Sequence, residues 1–90
     1  MLILDITHDC YKSVRALDAK QFRQVMSAVL GLMHNPEPHD AAALTNSPYR
    51  RVDCGEYRII YYVDGEVLRV PLIGKRNDDE VYKRLQRLSR

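Results

Sequence analysis

Asp64-Gly65 stands between two runs, Tyr57–Val63 and Glu66–Ile73, that are rich in β-branched and aromatic residues. An Asp-Gly pair in that setting is the strongest short-range signal of a β-hairpin, because glycine supplies the positive φ that the turn requires. Tyr and Ile along the first run suit a pleated surface. Tyr49–Asp53 predicts a further strand, turning around Cys54-Gly55 into the hairpin. Pro71 removes one ladder donor, so its position belongs at an edge or a bulge. Gly74 ends the last strand.

The residues before this stretch read as scaffold. Leu2, Leu4 and Ile6 alternate with Met1, Ile3 and Asp5, which predicts a short strand over residues 1–6. Ile3 is apolar too, so part of that strand is expected to be covered on both faces. Thr7 can cap a first helix, with Asp9 in its first turn and Tyr11, Val14 and Leu17 at helical spacing. Asp18 with Gln21 resembles a capping box opening a second helix. Phe22, Val25, Met26, Val29 and Met33 form its stripe, widened by Leu30 and Leu32. So short a connection predicts a helical hairpin. His34–Pro48 is a proline-rich loop in which Ala41–Leu44 is expected to make a helical turn. Past Gly74, Asn77 and Glu80 form another capping box, and Val81, Leu85 and Leu88 make the stripe of a last helix. Lys83, Arg84, Arg87 and Arg90 fill its other faces. The order β-α-α-β-β-β-α gives an α+β fold: a small, mostly antiparallel sheet with a helical hairpin on one face and a C-terminal helix.

Ninety residues make one domain, spanning 1–90. No apolar run reaches the length that a bilayer demands, and the N-terminus has neither the basic start nor the cleavage site of a signal peptide, so the expected location is the cytoplasm. Cys10 and Cys54 are far apart and form no CxxC pair, which reads as two reduced thiols rather than a redox or zinc motif. The net charge of +2 is unevenly spread. Residues 1–47 carry four Lys/Arg against five Asp/Glu, and residues 48–90 carry ten against seven. The second half is therefore either a solvated basic face or a site for phosphates.

Phosphate-loop, dinucleotide-binding and zinc-protease motifs are all missing. His8, His34 and His39 lie outside the basic stretch, and His34 and His39 with Asp40 have the irregular spacing of solvated loop residues, so no metal site is expected. What remains is cations and tyrosines. Along the central strand Tyr57, Ile59 and Tyr61 point to one face and Arg58, Ile60 and Tyr62 to the other. An arginine beside apolar neighbours needs a reason, since isolated charge is costly to bury. Arg58 either pairs with a carboxylate such as Asp53 or Glu66, or points from the sheet into an anion site. Lys75-Arg76 joins a strand end to a helix start, a place that favours anions, and arginine can grip phosphate with two parallel donors. Arg50 and Arg51 must face opposite sides of their strand, so one of them can join Arg58 and Arg76. Tyr82 reads on its own as an aromatic packed on the sheet.

The segment EYRIIYYVDGEVLRVPLIGKRNDDEVYKRL resembles the RelE toxins of the RelE/ParE superfamily. There a YR-apolar-apolar-Y strand leads through a hairpin to a strand ending in GKR, and then to a helix with EVY. The close resemblance covers residues 48–88, and the N-terminal third is similar in layout. It implies a toxin of a type II toxin–antitoxin system: a metal-independent endoribonuclease that cuts mRNA in the ribosomal A site, is neutralised by a cognate antitoxin, and needs no cofactor. By the same resemblance Arg58 would stabilise charge on the scissile phosphate. Arg76 would contact the phosphate or assist the leaving group, and Tyr82 would orient or deprotonate the attacking 2′-hydroxyl. Arg50 matches a family lysine on the second strand, although a shorter turn would make Arg51 its equivalent, and a second family lysine falls at Val52. Arg51, Lys75, Lys83 and Arg84 would bind RNA. ParE-type members, which bind DNA gyrase, are the alternative, as is a non-catalytic RNA- or antitoxin-binding module.

Overall fold

The computed structural model describes residues 1–77 and 80–88, leaving out the side chains of Glu80 and Leu88. Strand β1 (Ile3–Ile6) leads to helices α1 (His8–Arg15) and α2 (Ala19–His34). A two-residue strand β2 (Ala42–Ala43), β3 (Arg50–Cys54), β4 (Tyr57–Asp64), β5 (Val67–Lys75) and helix α3 (Glu80–Leu88) follow. The strands form one sheet in the order β1-β5-β4-β3-β2. β1 runs parallel to β5, and every other pairing is antiparallel. This is the expected order with one short strand added. The capping box expected between Asn77 and Glu80 depends on residues 78–79 and the Glu80 side chain, which lie outside the described residues, as do Arg90 and the Leu88 side chain.

Both hairpins close with two-residue loops, Gly55-Glu56 and Gly65-Glu66, each with its glycine at φ +60°. Glycine thus takes the first central position, the place where mirror-image hairpin turns need it. The second loop sits one residue beyond the expected Asp64-Gly65, because Asp64 still pairs with Val67. The bulge expected at Pro71 is present. Ile60 pairs with Leu72 and Tyr62 with Arg69, so Tyr61 faces two residues, Val70 and Pro71.

The sheet divides the apolar side chains between its faces. On one face Cys10 and Val14 of α1 and Val25, Val29 and Leu32 of α2 pack on Val52, Ile59, Tyr61, Leu68, Val70 and Ile73. On the other, Val81 and Leu85 of α3 pack on Ile60 and Leu72, flanked by Leu44 and Tyr49. Alternation about the bulge explains the division: Leu68 and Val70 face the helical hairpin, and one extra residue later Leu72 faces α3. Gly74 lies on the α3 face, where an added Cβ would come 2.3 Å from Val81 Cγ2. The helix rests directly on the backbone there.

Three expectations are corrected. Ile3 is 63% exposed, because β1 is an edge strand and no described residue covers its outer face. Phe22 and Leu30 are also largely exposed, since the sheet takes only a narrow seam of α2. Ala41–Leu44 makes no helical turn: Ala42 and Ala43 pair with Arg51 and Arg50 on β3, whose free edge offers backbone partners that outweigh alanine's helix preference.

Thr7 joins the helical layer to the sheet. Its Oγ1 accepts from the Cys10 N–H at 3.1 Å, capping α1, and donates to the Pro71 carbonyl at 2.7 Å. Thr7→Ala is therefore expected to lower stability by about 1–2 kcal/mol in urea denaturation. An unchanged midpoint would mean that the cap contributes nothing.

Candidate functional site

The site is built on the β3–β4 hairpin. Asp53 and Arg58 are a directly opposed cross-strand pair, one step before the turn. Both project to the α3 face, as Ile60 does two residues further along β4. Arg58 Nε donates to Asp53 Oδ1 at 2.7 Å, and its Nη2 donates to Oδ2 at 3.2 Å. Its Nη1 donates to the Tyr82 hydroxyl. Its guanidinium carbon also stands 5.8 Å from the centre of the Tyr82 ring. Arg76 extends the β4–β5 ladder by one backbone bond, N–H to the Glu56 carbonyl at 2.9 Å, and its Nη1 lies 4.0 Å from Asp53 Oδ2. Arg58 is the sequestered cation, with a side chain 15% exposed, and Arg76 is half exposed.

Electrostatics follow from that geometry. The Arg58 hydrogen bond holds the Asp53 carboxyl below the usual carboxylate range, and the charges of Arg58, Arg51 and Arg76 act in the same direction against partial burial. In return Asp53, with the Tyr82 oxygen adding to it, fixes the proton on Arg58 more firmly.

Of the expected site residues, Arg58, Arg76 and Tyr82 come together. Arg51 joins their face, because it pairs with Ile60 and its charge reaches Asp53. Arg50 does not join them. It pairs with Tyr61 on the helical-hairpin face, its Nη1 lies 3.9 Å from Glu37, and its Nε is buried without a partner among the described residues. The physical reason is Val52: an apolar residue of β3 seeks the larger core and carries Arg50, two positions away, with it. Lys75 is likewise turned away, opposite Tyr57, and is exposed. Lys83 is exposed on α3. Arg84 is half-buried, and its charge reaches Cys10, whose thiol burial pushes up to about 11. Of the two readings of Arg58, the carboxylate partner is present and is Asp53, on the same sheet face as Arg51 and Arg76. Asp53, considered in the sequence only as an ion-pair partner, is at the centre of that cluster.

Beside Tyr82 runs a groove of about 400 Å³ between Leu44, Tyr49 and Leu85, with Thr45, Ser47 and Gln86 also lining it. Tyr82 is thus shared between the cations and a space large enough for a nucleobase. Among the described residues no group of His, Cys, Asp and Glu gathers that could hold a metal ion, and no helix is long and apolar enough to cross a membrane.

No family model matches the sequence, and no curated protein matches it. Solved structures do. The isolated E. coli RelE toxin superposes with a TM-score of 0.75 at 22% identity, over 98% of this chain and 99% of that one. A doubly substituted E. coli RelE in the free state gives 0.81 at 21% identity, over 96% of each chain. RelE in the archaeal RelE–RelB complex of Pyrococcus horikoshii gives 0.74 at 22% identity, over 83% of this chain and 94% of that one. This chain has the RelE fold. On that RelE-like frame the cluster of Arg51, Asp53, Arg58, Arg76 and Tyr82 occupies the sheet face beside the C-terminal helix, opposite the helical hairpin.

Proposed function

We propose that this chain is the toxin of a type II toxin–antitoxin module and acts in the cytoplasm as an endoribonuclease on mRNA in the ribosomal A site. The observation that carries the reading is the Arg58–Tyr82 hydrogen bond, set between Arg51 and Arg76 on a RelE-like fold. RNA cleavage of this kind needs a 2′-hydroxyl to attack the adjacent phosphorus while the 5′-oxygen of the next nucleotide leaves. Negative charge gathers on the phosphate oxygens in the transition state, and fixed guanidinium donors stabilise it. Arg58 and Arg76 take that role. Tyr82 orients the 2′-hydroxyl, or as a phenolate takes its proton and becomes the neutral phenol. Arg51 replaces Arg50 as the second-strand cation. The groove beside Tyr82 receives a neighbouring base, stacked on an aromatic ring as single-stranded RNA commonly is. Metal ions have no part in this scheme. RelE from E. coli and from P. horikoshii has been solved with RelB, which supports a cognate antitoxin as this chain's partner.

Induced expression with primer extension on a reporter mRNA tests the reading. Growth arrest with in-frame cuts in translated mRNA is the expected result. Arrest without cuts would replace it with gyrase inhibition, and soluble protein without arrest, in a host lacking the antitoxin, would leave a binding module.

A further inference from the structure

A phosphate site that contains a carboxylate works against its own ligand unless the carboxylate does something else. Asp53 stands where an anion would be gripped: both of its oxygens accept from Arg58, and Arg76 lies within 4.0 Å. It attracts the same guanidinium groups that the substrate's phosphate must engage. The directions of the hydrogen bonds resolve the conflict. A guanidinium is a rigid plane with five N–H donors. Asp53 takes the edge formed by Nε and Nη2 and Tyr82 takes one donor of Nη1, so among the described residues one donor each of Nη1 and Nη2 remains for a ligand. Two bonds along one edge fix both the plane and its rotation. Asp53 can hold that plane because both partners stand on paired strands, directly opposite each other, and aspartate is too short to wander.

We infer that Asp53 is a positioning residue: it clamps the Nε–Nη2 edge of Arg58 so that Nη1 meets the Tyr82 hydroxyl and the remaining donors of Nη1 and Nη2 meet the scissile phosphate. The inference rests on the RNA-cleavage reading above. It separates cleanly from two plainer roles. A carboxylate that merely competes with phosphate weakens substrate binding, and its removal lowers KM with kcat unchanged or raised. An ion pair that merely holds the hairpin shut affects melting and leaves both constants alone while the protein is folded. A clamp acts in the transition state, so its removal lowers kcat and does not raise KM.

The experiment is Asp53→Asn in the full chain, assayed on ribosomes programmed with a short mRNA at a temperature where circular dichroism shows the variant folded. The substitution keeps the shape of the side chain and removes its charge and one acceptor. A fall in kcat of about 100-fold with KM not raised is expected, the size that misplacing a catalytic group commonly brings. Asp53→Glu, which keeps the charge and both oxygens at a longer reach, recovers part of the loss. Unchanged kcat, or a higher kcat with a lower KM, overturns the assignment. If Asp53→Asn does not stay folded, Asp53→Glu is read alone: kcat falls and KM does not rise, and a wild-type kcat overturns the clamp. A second readout is independent of RNA. The Arg58 Nε–H exchanges slowly with water in the wild type by 15N NMR and rapidly in Asp53→Asn, and equal exchange in the two overturns the clamp. Should the wild type cut no RNA, the functional reading fails, while the NMR comparison still decides whether Asp53 orients Arg58.

Discussion

Arg58→Ala is expected to lower mRNA cleavage on the ribosome by about 100- to 1000-fold, the usual loss when one fixed donor to a developing negative charge is removed. The protein should remain folded, because Asp53 keeps Arg51 and Arg76 nearby and about a third of its side chain reaches water. The effect should therefore appear in rate rather than in yield or melting. It has a built-in contrast on β3. Arg51→Ala is expected to cut the rate more than Arg50→Ala, since Arg50 faces Tyr61 and Glu37 across the sheet. Cleavage near the wild-type rate by Arg58→Ala would remove this cluster as the active site. A larger loss for Arg50→Ala than for Arg51→Ala, at equal stability, would show that the hairpin face carries the chemistry.

Gly74→Ala is expected to lower stability by about 1–3 kcal/mol, the range for forcing a methyl group into a packed site. It is also expected to lower cleavage by about 100-fold, because the helix that must move carries Tyr82. The added Cβ would overlap Val81 Cγ2 at 2.3 Å, and Val81 is a stiff β-branched side chain buried at 2% exposure. α3 has to rise off the sheet, and the Tyr82 hydroxyl moves away from Arg58. Urea denaturation and the ribosome assay read the two effects. Val81→Ala in the same chain removes the clashing methyls and should restore much of both, giving a coupling between neighbours that independent sites do not show. A fully active, fully stable Gly74→Ala would mean that α3 does not rest on the strand in this way.

The hairpins, the helical layer and the faces of β4 were legible because period-two alternation and glycine turns are local signals, and the local signal agrees with the tertiary one there. Arg58 and Ile60 fall on the side that alternation assigns to them. The choice between Arg50 and Arg51 was not made in the sequence, although a signal existed. Val52 is the apolar residue of β3, and placing it in the larger core sends Arg51 and Asp53 to the other face. What defeated the reading was the resemblance, which favoured Arg50 by counting from Tyr49 across a turn of different length. Asp53 was visible as a partner of Arg58, but that two cations share it depends on where the backbone beyond Gly74 goes. Ala41–Leu44 was misread because helix preference is weak beside an unpaired strand edge, and Phe22 because amphipathic spacing says which way a helix faces and not how wide a seam its neighbour fills.

The bulge at Pro71 acts like a frameshift written in side chains. Upstream of it, even-numbered positions of β5, Leu68 and Val70, belong to the helical-hairpin layer; downstream, the even-numbered Leu72 and Gly74 belong to the opposite layer and lead to Arg76. Deleting the extra residue would restore a regular ladder and leave these faces as they are, whereas pairing every residue of β5 one to one, with none deleted, would reverse everything after it. Ile73 would meet α3 without a glycine bed, and Lys75 rather than Arg76 would arrive at Asp53. The identity of the cation at this site is thus set by the bulge as much as by the residue itself.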